Sequence, residues 1–249
     1  MNNLSNNLLR TIKFSILIPA KQTLSWYIWY IERKLAGTDK KLVDDYFSKH
    51  QIIKLHIGCG SNILNGWLNT DLYSKDSQVN CLDATKPFSF NNDSFDYIYS
   101  EHMIEHITYI QGLQFLSECY RVLKPGGKIR IATPDLVFLI DLYKNDKSIL
   151  QKDYIKWSID KFIGAVTNYE DTFVINNFMR AWGHTFIYDE KVLHNSLGMM
   201  GFNGITKCAL NESADEQLRY LENETRMPPG FLELESIIIE ATKPIKSNT

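Results

Sequence analysis

The sequence has no cysteine pair, no basic excess, no unbroken hydrophobic run of membrane length and no internal repeat. Each absence removes a class of protein. The 4 cysteines, Cys59, Cys81, Cys119 and Cys208, lie far apart and form no C-x-x-C. That spacing excludes a zinc knuckle and a disulfide framework and fits the reduced thiols of a cytoplasmic protein. A formal net charge of -2 over 249 residues argues against a nucleic-acid binder, which needs a basic surface. The most apolar stretch, FSILIPAKQTLSWYIWYIERKL, is broken by Pro19, Lys21 and Gln22 and is too short to span a bilayer. No small-residue cleavage site follows a compact apolar core, so no signal peptide is expected.

What is present suffices for one sizeable core, with 44% hydrophobic and 12% aromatic residues. Residues 1–50 stand apart as a helical extension. They carry eight Lys and Arg against four acids, which leaves the remaining chain a formal charge of −6. Trp26, Tyr27, Trp29 and Tyr30 beside Arg33 and Lys34 suit an interfacial helix. The plainer alternative packs that helix on the main domain or on a second subunit. A peripheral membrane or subunit contact through residues 1–50, and membrane association of a cytoplasmic protein, are therefore expectations to test.

From residue 51 onward strands and helices alternate. Ile52–Ile57, Trp67–Leu72, Asn80–Leu82 and Phe95–Tyr99 read as strands, and apolar residues at helical spacing predict a helix over Ile110–Leu123. Lys124-Pro125-Gly126-Gly127 breaks it, and Lys128–Ala132 reads as a fifth strand. Pro134-Asp135 opens another helix. Residues 145–182 are helical and aromatic, an insertion or lid. A helix over Asp189–Met199, a strand near Ile205–Leu210 and a last strand over Leu234–Ala241 complete the chain. The carboxylates of 210–224 read as a solvated helix face, and RMPPG at 226–230 as a turn. The pattern is α/β, a mainly parallel sheet with helices on both faces.

Gly58-Cys59-Gly60 follows the first strand, and Asp71 ends the second. In an open α/β sheet, ligands lie beyond the carboxyl ends of the strands, where such a bend admits a close approach and a carboxylate can hold a ribose diol. The dinucleotide fingerprint needs a third glycine where this chain has Ile63, and its acid comes later than Asp71. A nucleoside without a pyrophosphate fits better than NAD.

Several segments in order, LHIGCGS (55–61), NTDL (69–72), CLDATKPFSF (81–90), FDYIYSEHMIEHI (95–107) and ECYRVLKPGGKIRIATPD (118–135), resemble the class I S-adenosylmethionine-dependent methyltransferases, in their type 11-like branch. The resemblance covers roughly residues 50–145. It implies a Rossmann-like doubly wound sheet, mostly parallel with an antiparallel last strand, and S-adenosyl-L-methionine as cofactor. It further implies that Gly58, Cys59 and Gly60 line the methionine and ribose, that Asp71 holds the ribose hydroxyls with Leu72 against the adenine, that Asp83 meets the adenine amino group beside Ala84, and that Ser100 and Glu101 face the methionine moiety. Two departures stand out: His56 replaces the acid usual at that position, and the segment from Gly60 to Trp67 is too short for a full first helix.

HMIEH (102–106) also spells an inverted zinc-protease signature, in which two histidines on a helix bind metal. Its place directly after a strand argues against that, and no metal set is expected. His106 reads as a structural hydrogen-bonding residue. His102, nearer the expected methyl-transfer crevice, is the first candidate for a general base, and His184 in AWGHTFIYDE the second. The expected reaction is methyl transfer to a small-molecule or sugar (glycan) acceptor at a hydroxyl, with no nucleic-acid partner. A non-catalytic binding module with the same fold, a zinc hydrolase and an NAD-linked oxidoreductase are the rivals.

Overall fold

The computed structural model describes residues 18–245 except 74, 75, 165 and 167, with side chains from Trp26 onward. Among these residues, seven strands form one sheet in the order β3-β2-β1-β4-β5-β7-β6. They are β1 (Lys54–Ile57), β2 (Leu68–Asp71), β3 (Asn80–Cys81), β4 (Phe95–Glu101), β5 (Leu123–Pro134), β6 (Asn203–Cys208) and β7 (Ser236–Thr242). β1 to β5 pair in parallel, while β7 runs antiparallel to both β5 and β6. This is the doubly wound, mostly parallel sheet with an antiparallel last strand that the sequence implies.

Alternation along the strands assigns the faces. Leu55, Ile57, Ile98, Ile129, Ile131 and Ile239 join one core with α2 (Thr38–Lys49), α3 (Tyr109–Val122) and α7 (Glu190–Met199). A reciprocal capping box between Thr108 and Gln111 starts α3. The break after α3 differs in kind from the expectation. Leu123 already pairs with Phe95, and the ladder resumes at Tyr97 with Lys128. Lys124–Gly127 is therefore a bulge inside β5 rather than a loop before it. A Cβ on Gly127 would lie 2.9 Å from the Lys124 carbonyl and 3.0 Å from that of Asp96, so only glycine fits there.

The opposite face holds the largest departure. Residues 210–226 contain two 3-10 turns, Glu216–Leu218 and Glu224–Arg226, and no α-helix. They lie over the sheet, with Leu218 and Leu221 packed on Trp67 and Tyr99. Glu222 is not solvated. Its buried side chain pairs with Arg130 of β5 (Nε to Oε1, 2.6 Å), which also meets Glu240 of β7 at 2.5 Å. Burial opposes the charge on Arg130, but these two carboxylates more than offset it and hold the guanidinium above its ordinary pKa.

Residues 149–163 and 171–180 are helical. α4 (Leu136–Leu142), α5 (Ile149–Ser158) with a π-turn over Ile159–Ile163, and α6 (Asp171–Arg180) surround their own core of Phe138, Tyr154, Val174 and Phe178. α8 (Phe231–Glu235) leads from there into β7. At the other end of the chain, α1 (Ile18–Leu35) reaches the sheet's β2–β3 side. Trp26 Nε1 donates to the Leu72 carbonyl at 3.2 Å, and Arg33 bonds both Asp39 and the Val79 carbonyl. Its Tyr27, Ile28 and Ile31 are exposed. Among the described residues, no helix is long and apolar enough to cross a membrane.

Candidate functional site

The carboxyl ends of β1, β2 and β4 are aligned, since Ile57 pairs with both Thr70 and Ser100. The chain leaves β1 through Gly58 and Gly60, both in the left-handed region at φ 73° and 52°, and no helix intervenes before β2. The bend is held from within. Gly58 and Cys59 N–H both donate to the Thr70 carbonyl, and Gly60 N–H donates to Asp71 Oδ2 at 2.9 Å. Its donors are thus occupied, so what the glycines offer a ligand is space: a Cβ on Gly60 would meet nothing within 4 Å. Gly58 is covered instead, with Met103 Cγ 2.5 Å from where its Cβ would be. The Cys59 thiol is buried and pushed up to about 12 by burial and by Asp71, so it is a filler and not a nucleophile.

Asp71 accepts from Gly60 and, through Oδ1, from Tyr73 N–H, with lone pairs to spare for a diol. His56 is nearly fully buried and hydrogen-bonds Asn69 at 3.0 Å. Burial drives its pKa down to about 4, so it is neutral and cannot replace an acid. Ser100 is buried with no partner for its hydroxyl. Glu101 accepts from Asn223 N–H and Asn62, with Arg226 at 3.7 Å; burial raises its pKa. Beyond β2 and β3, Leu72 and Asp83 line a cavity of roughly 280 Å³ with Trp26, Tyr30 and Lys34 of α1. Asp83 Oδ1 accepts from Thr85 N–H and Oγ1, and Ala84 packs on the core beside it.

A second cavity, roughly 290 Å³, opens between the end of β4 and the insertion. His102, Glu105, His106, His184, Arg226 and Glu235 supply its polar wall, and aromatic side chains, Trp157 and Trp182 among them, most of the remainder. His102 directly follows β4 at φ 47°, a strained conformation for a side-chain-bearing residue. Its Nε2 is 2.9 Å from Ser236 Oγ, and burial holds its pKa well below the usual value. HMIEH does not form the helix a zinc protease needs: His102 leaves a strand and Ile104–His106 is a single 3-10 turn. The fold nevertheless brings His184 to that turn, because Thr185 and Phe186 N–H both donate to the Glu105 carbonyl. Ligand-capable atoms of Glu105, His106 and His184 lie within 4.8 Å of one another.

Residues 67–131 match the family described as a methyltransferase domain. That stretch identifies a methyltransferase domain in the chain. Phosphoethanolamine N-methyltransferase 2 of Caenorhabditis elegans is 35% identical over 97 residues, which are 38% of this chain and 21% of that relative. The chain thus spans about a fifth of the curated relative it matches. A SAM-dependent methyltransferase of Archaeoglobus fulgidus is 17% identical, covering 88% of this chain and 100% of its own, at TM-score 0.46. The Haemonchus contortus phosphoethanolamine N-methyltransferase 2, solved in complex with S-adenosyl-L-methionine, is 16% identical over 84% of this chain and 52% of its own, at TM-score 0.41.

Gly60 with open space before it, the Asp71 carboxylate and the unpartnered Ser100 hydroxyl stand at the carboxyl ends of the adjoining strands β1, β2 and β4, groups whose chemistry suits S-adenosylmethionine. Two groups of site residues escaped the sequence. Arg226 lay hidden in a proline-containing turn that carries no catalytic pattern. Trp26 and Tyr30 carried an aromatic signal that suited an interfacial helix or one packed on the main domain or a second subunit, and named no ligand.

Proposed function

We propose that the chain transfers a methyl group from S-adenosylmethionine to a hydroxyl of a small-molecule or sugar acceptor. The observation that carries this reading is the tie between Gly60 N–H and Asp71 Oδ2, which fixes an open bend and a diol-binding carboxylate at adjoining strand ends. In this reading Asp71 holds the ribose, Leu72 and Asp83 bound the adenine, and Ser100 and Glu101 face the methionine end. When bound, the cofactor supplies an already activated sulfonium methyl, so the protein's part is alignment and exclusion of water. The acceptor occupies the aromatic-walled cavity beside β4, where Trp157 and Trp182 suit the apolar face of a sugar ring. In this reading His102 is the general base: it lines that cavity directly after β4, with Nε2 2.9 Å from Ser236 Oγ.

Titration calorimetry with S-adenosylhomocysteine tests the reading. Wild type binds it with micromolar affinity, and Asp71→Ala weakens binding at least about tenfold, equivalent to 1.4 kcal/mol. No heat with wild type overturns it. His102→Ala binds the same ligand normally but loses turnover; unchanged turnover removes the base.

A further inference from the structure

We propose that Glu105, His106 and His184 form a binding site for one first-row divalent metal ion, in the wall of the cavity beside β4. The three come from places 79 residues apart, and the backbone is what joins them. Thr185 and Phe186 N–H clasp the Glu105 carbonyl at 2.8 and 3.2 Å, which sets the preceding His184 against the Ile104–His106 turn.

The carboxylate is the decisive group. Glu105 is fully buried, and its two oxygens are treated differently. Oε2 accepts from Thr133 Oγ1 at 3.2 Å, while Oε1 has no hydrogen-bond partner. A buried carboxylate oxygen left unpartnered is costly, and native structures rarely keep one without a bound water or ion to meet it. Oε1 faces the imidazoles: His106 Nε2 is 3.7 Å away. Ligands at metal-bond lengths around a tetrahedral ion lie about 3.4 Å apart; the Glu105–His106 pair is already close to that, and the three ligand atoms, all within 4.8 Å of one another, must draw together further on binding.

The imidazole of His184 is oriented as a metal ligand's is. Its Nδ1 lies 2.7 Å from the Phe178 carbonyl, and a carbonyl can only accept, so Nδ1 carries the proton and Nε2 the lone pair. The His106 ring presents Nε2 to Glu105 Oε1 at 3.7 Å. Two imidazoles and one carboxylate suit zinc, cobalt, iron or manganese better than calcium or magnesium. Three protein ligands leave coordination positions open to the cavity, where an acceptor oxygen could bind and lose its proton more readily. That use of the metal rests on the proposed methyl transfer; the binding itself does not. His102 lies outside the triad, with its Nδ1 3.5 Å from the same Oε1.

The test is metal uptake by the full chain, stripped with chelator and titrated with Co(II), then Zn(II). Wild type takes up one equivalent of Co(II) with visible ligand-field absorption, and Zn(II) displaces it. His184→Ala and Glu105→Gln each weaken uptake at least tenfold. Asp71→Ala, which disables only the proposed nucleoside site, takes up metal normally, so failure of the cofactor reading and failure of the metal site are told apart. Absence of stoichiometric uptake by wild type, or equal uptake by the His184→Ala and Glu105→Gln proteins, overturns the proposal.

Discussion

His56 occupies the position in β1 where the resembling motif carries an acid, and its chemistry is set by burial rather than by the motif. Below pH 6.5 the unfolded chain takes up a proton that the folded chain refuses until about pH 4, so this residue makes stability fall as pH drops through that window. Between pH 7 and 5 the loss is about 2 kcal/mol. Glu235, raised to about 7 by burial, works in the opposite direction and stabilises the fold as pH falls. Denaturation of wild type and His56→Gln at both pH values therefore isolates the histidine. The gap between the two proteins shifts by about 2 kcal/mol in the variant's favour at pH 5; a constant gap would mean His56 is charged or solvated. At this scale the sequence was readable where a residue's position in a strand sets its role. Asp71 ends β2, so its direction followed from strand geometry. The roles of Arg226 and of Glu105 depend on neighbours 125 and 79 residues away, Glu101 and His184, which no local pattern encodes.

Most elements were visible because alternation and helical spacing are local: β1, β4, α3 and α7 fall within a few residues of the expected bounds. The segment 210–224 was not, and the reason is physical. Its composition suits an exposed helix, but Arg130 projects from β5 on that face and must be neutralised where water does not reach. Tertiary pairing with Glu222 overrides helix propensity. Glu222→Ala accordingly destabilises the protein by about 3–5 kcal/mol, because it leaves a buried guanidinium short of a partner. Glu216→Ala, in the same segment but exposed, changes stability by less than about 0.5 kcal/mol. Equal effects in urea denaturation would show that the segment is the solvated face its composition suggests. The bulge over Lys124–Gly127 has a similar history: glycine and proline announce a break, but only pairing with β4 reveals that the strand continues through it.

At the scale of the whole molecule, the doubly wound sheet and its antiparallel last strand followed from the run of motifs, whereas the docking of α1 did not. An aromatic, basic helix can serve a membrane, a subunit or a pocket, and the choice lies in what it touches. Here Trp26 stacks with Tyr30 at 5.3 Å, lies 5.4 Å from Tyr73, and closes the cavity bounded by Leu72 and Asp83. Removing residues 1–37 therefore weakens S-adenosylhomocysteine binding about tenfold while the rest of the sheet still unfolds cooperatively. Calorimetry and thermal melts on the truncated chain check this, and unaltered affinity would leave α1 with no part in the nucleoside site.

The Trp26–Leu72 hydrogen bond also bears on the tempo of the reaction. Were adenosine held in that cavity, as proposed, it could not depart until the helix swung away from Leu72, giving up the Arg33 anchor as it went. A spent nucleoside would then outlast the chemistry that made it, and the enzyme's cycle would keep time with a hinge at Gly37.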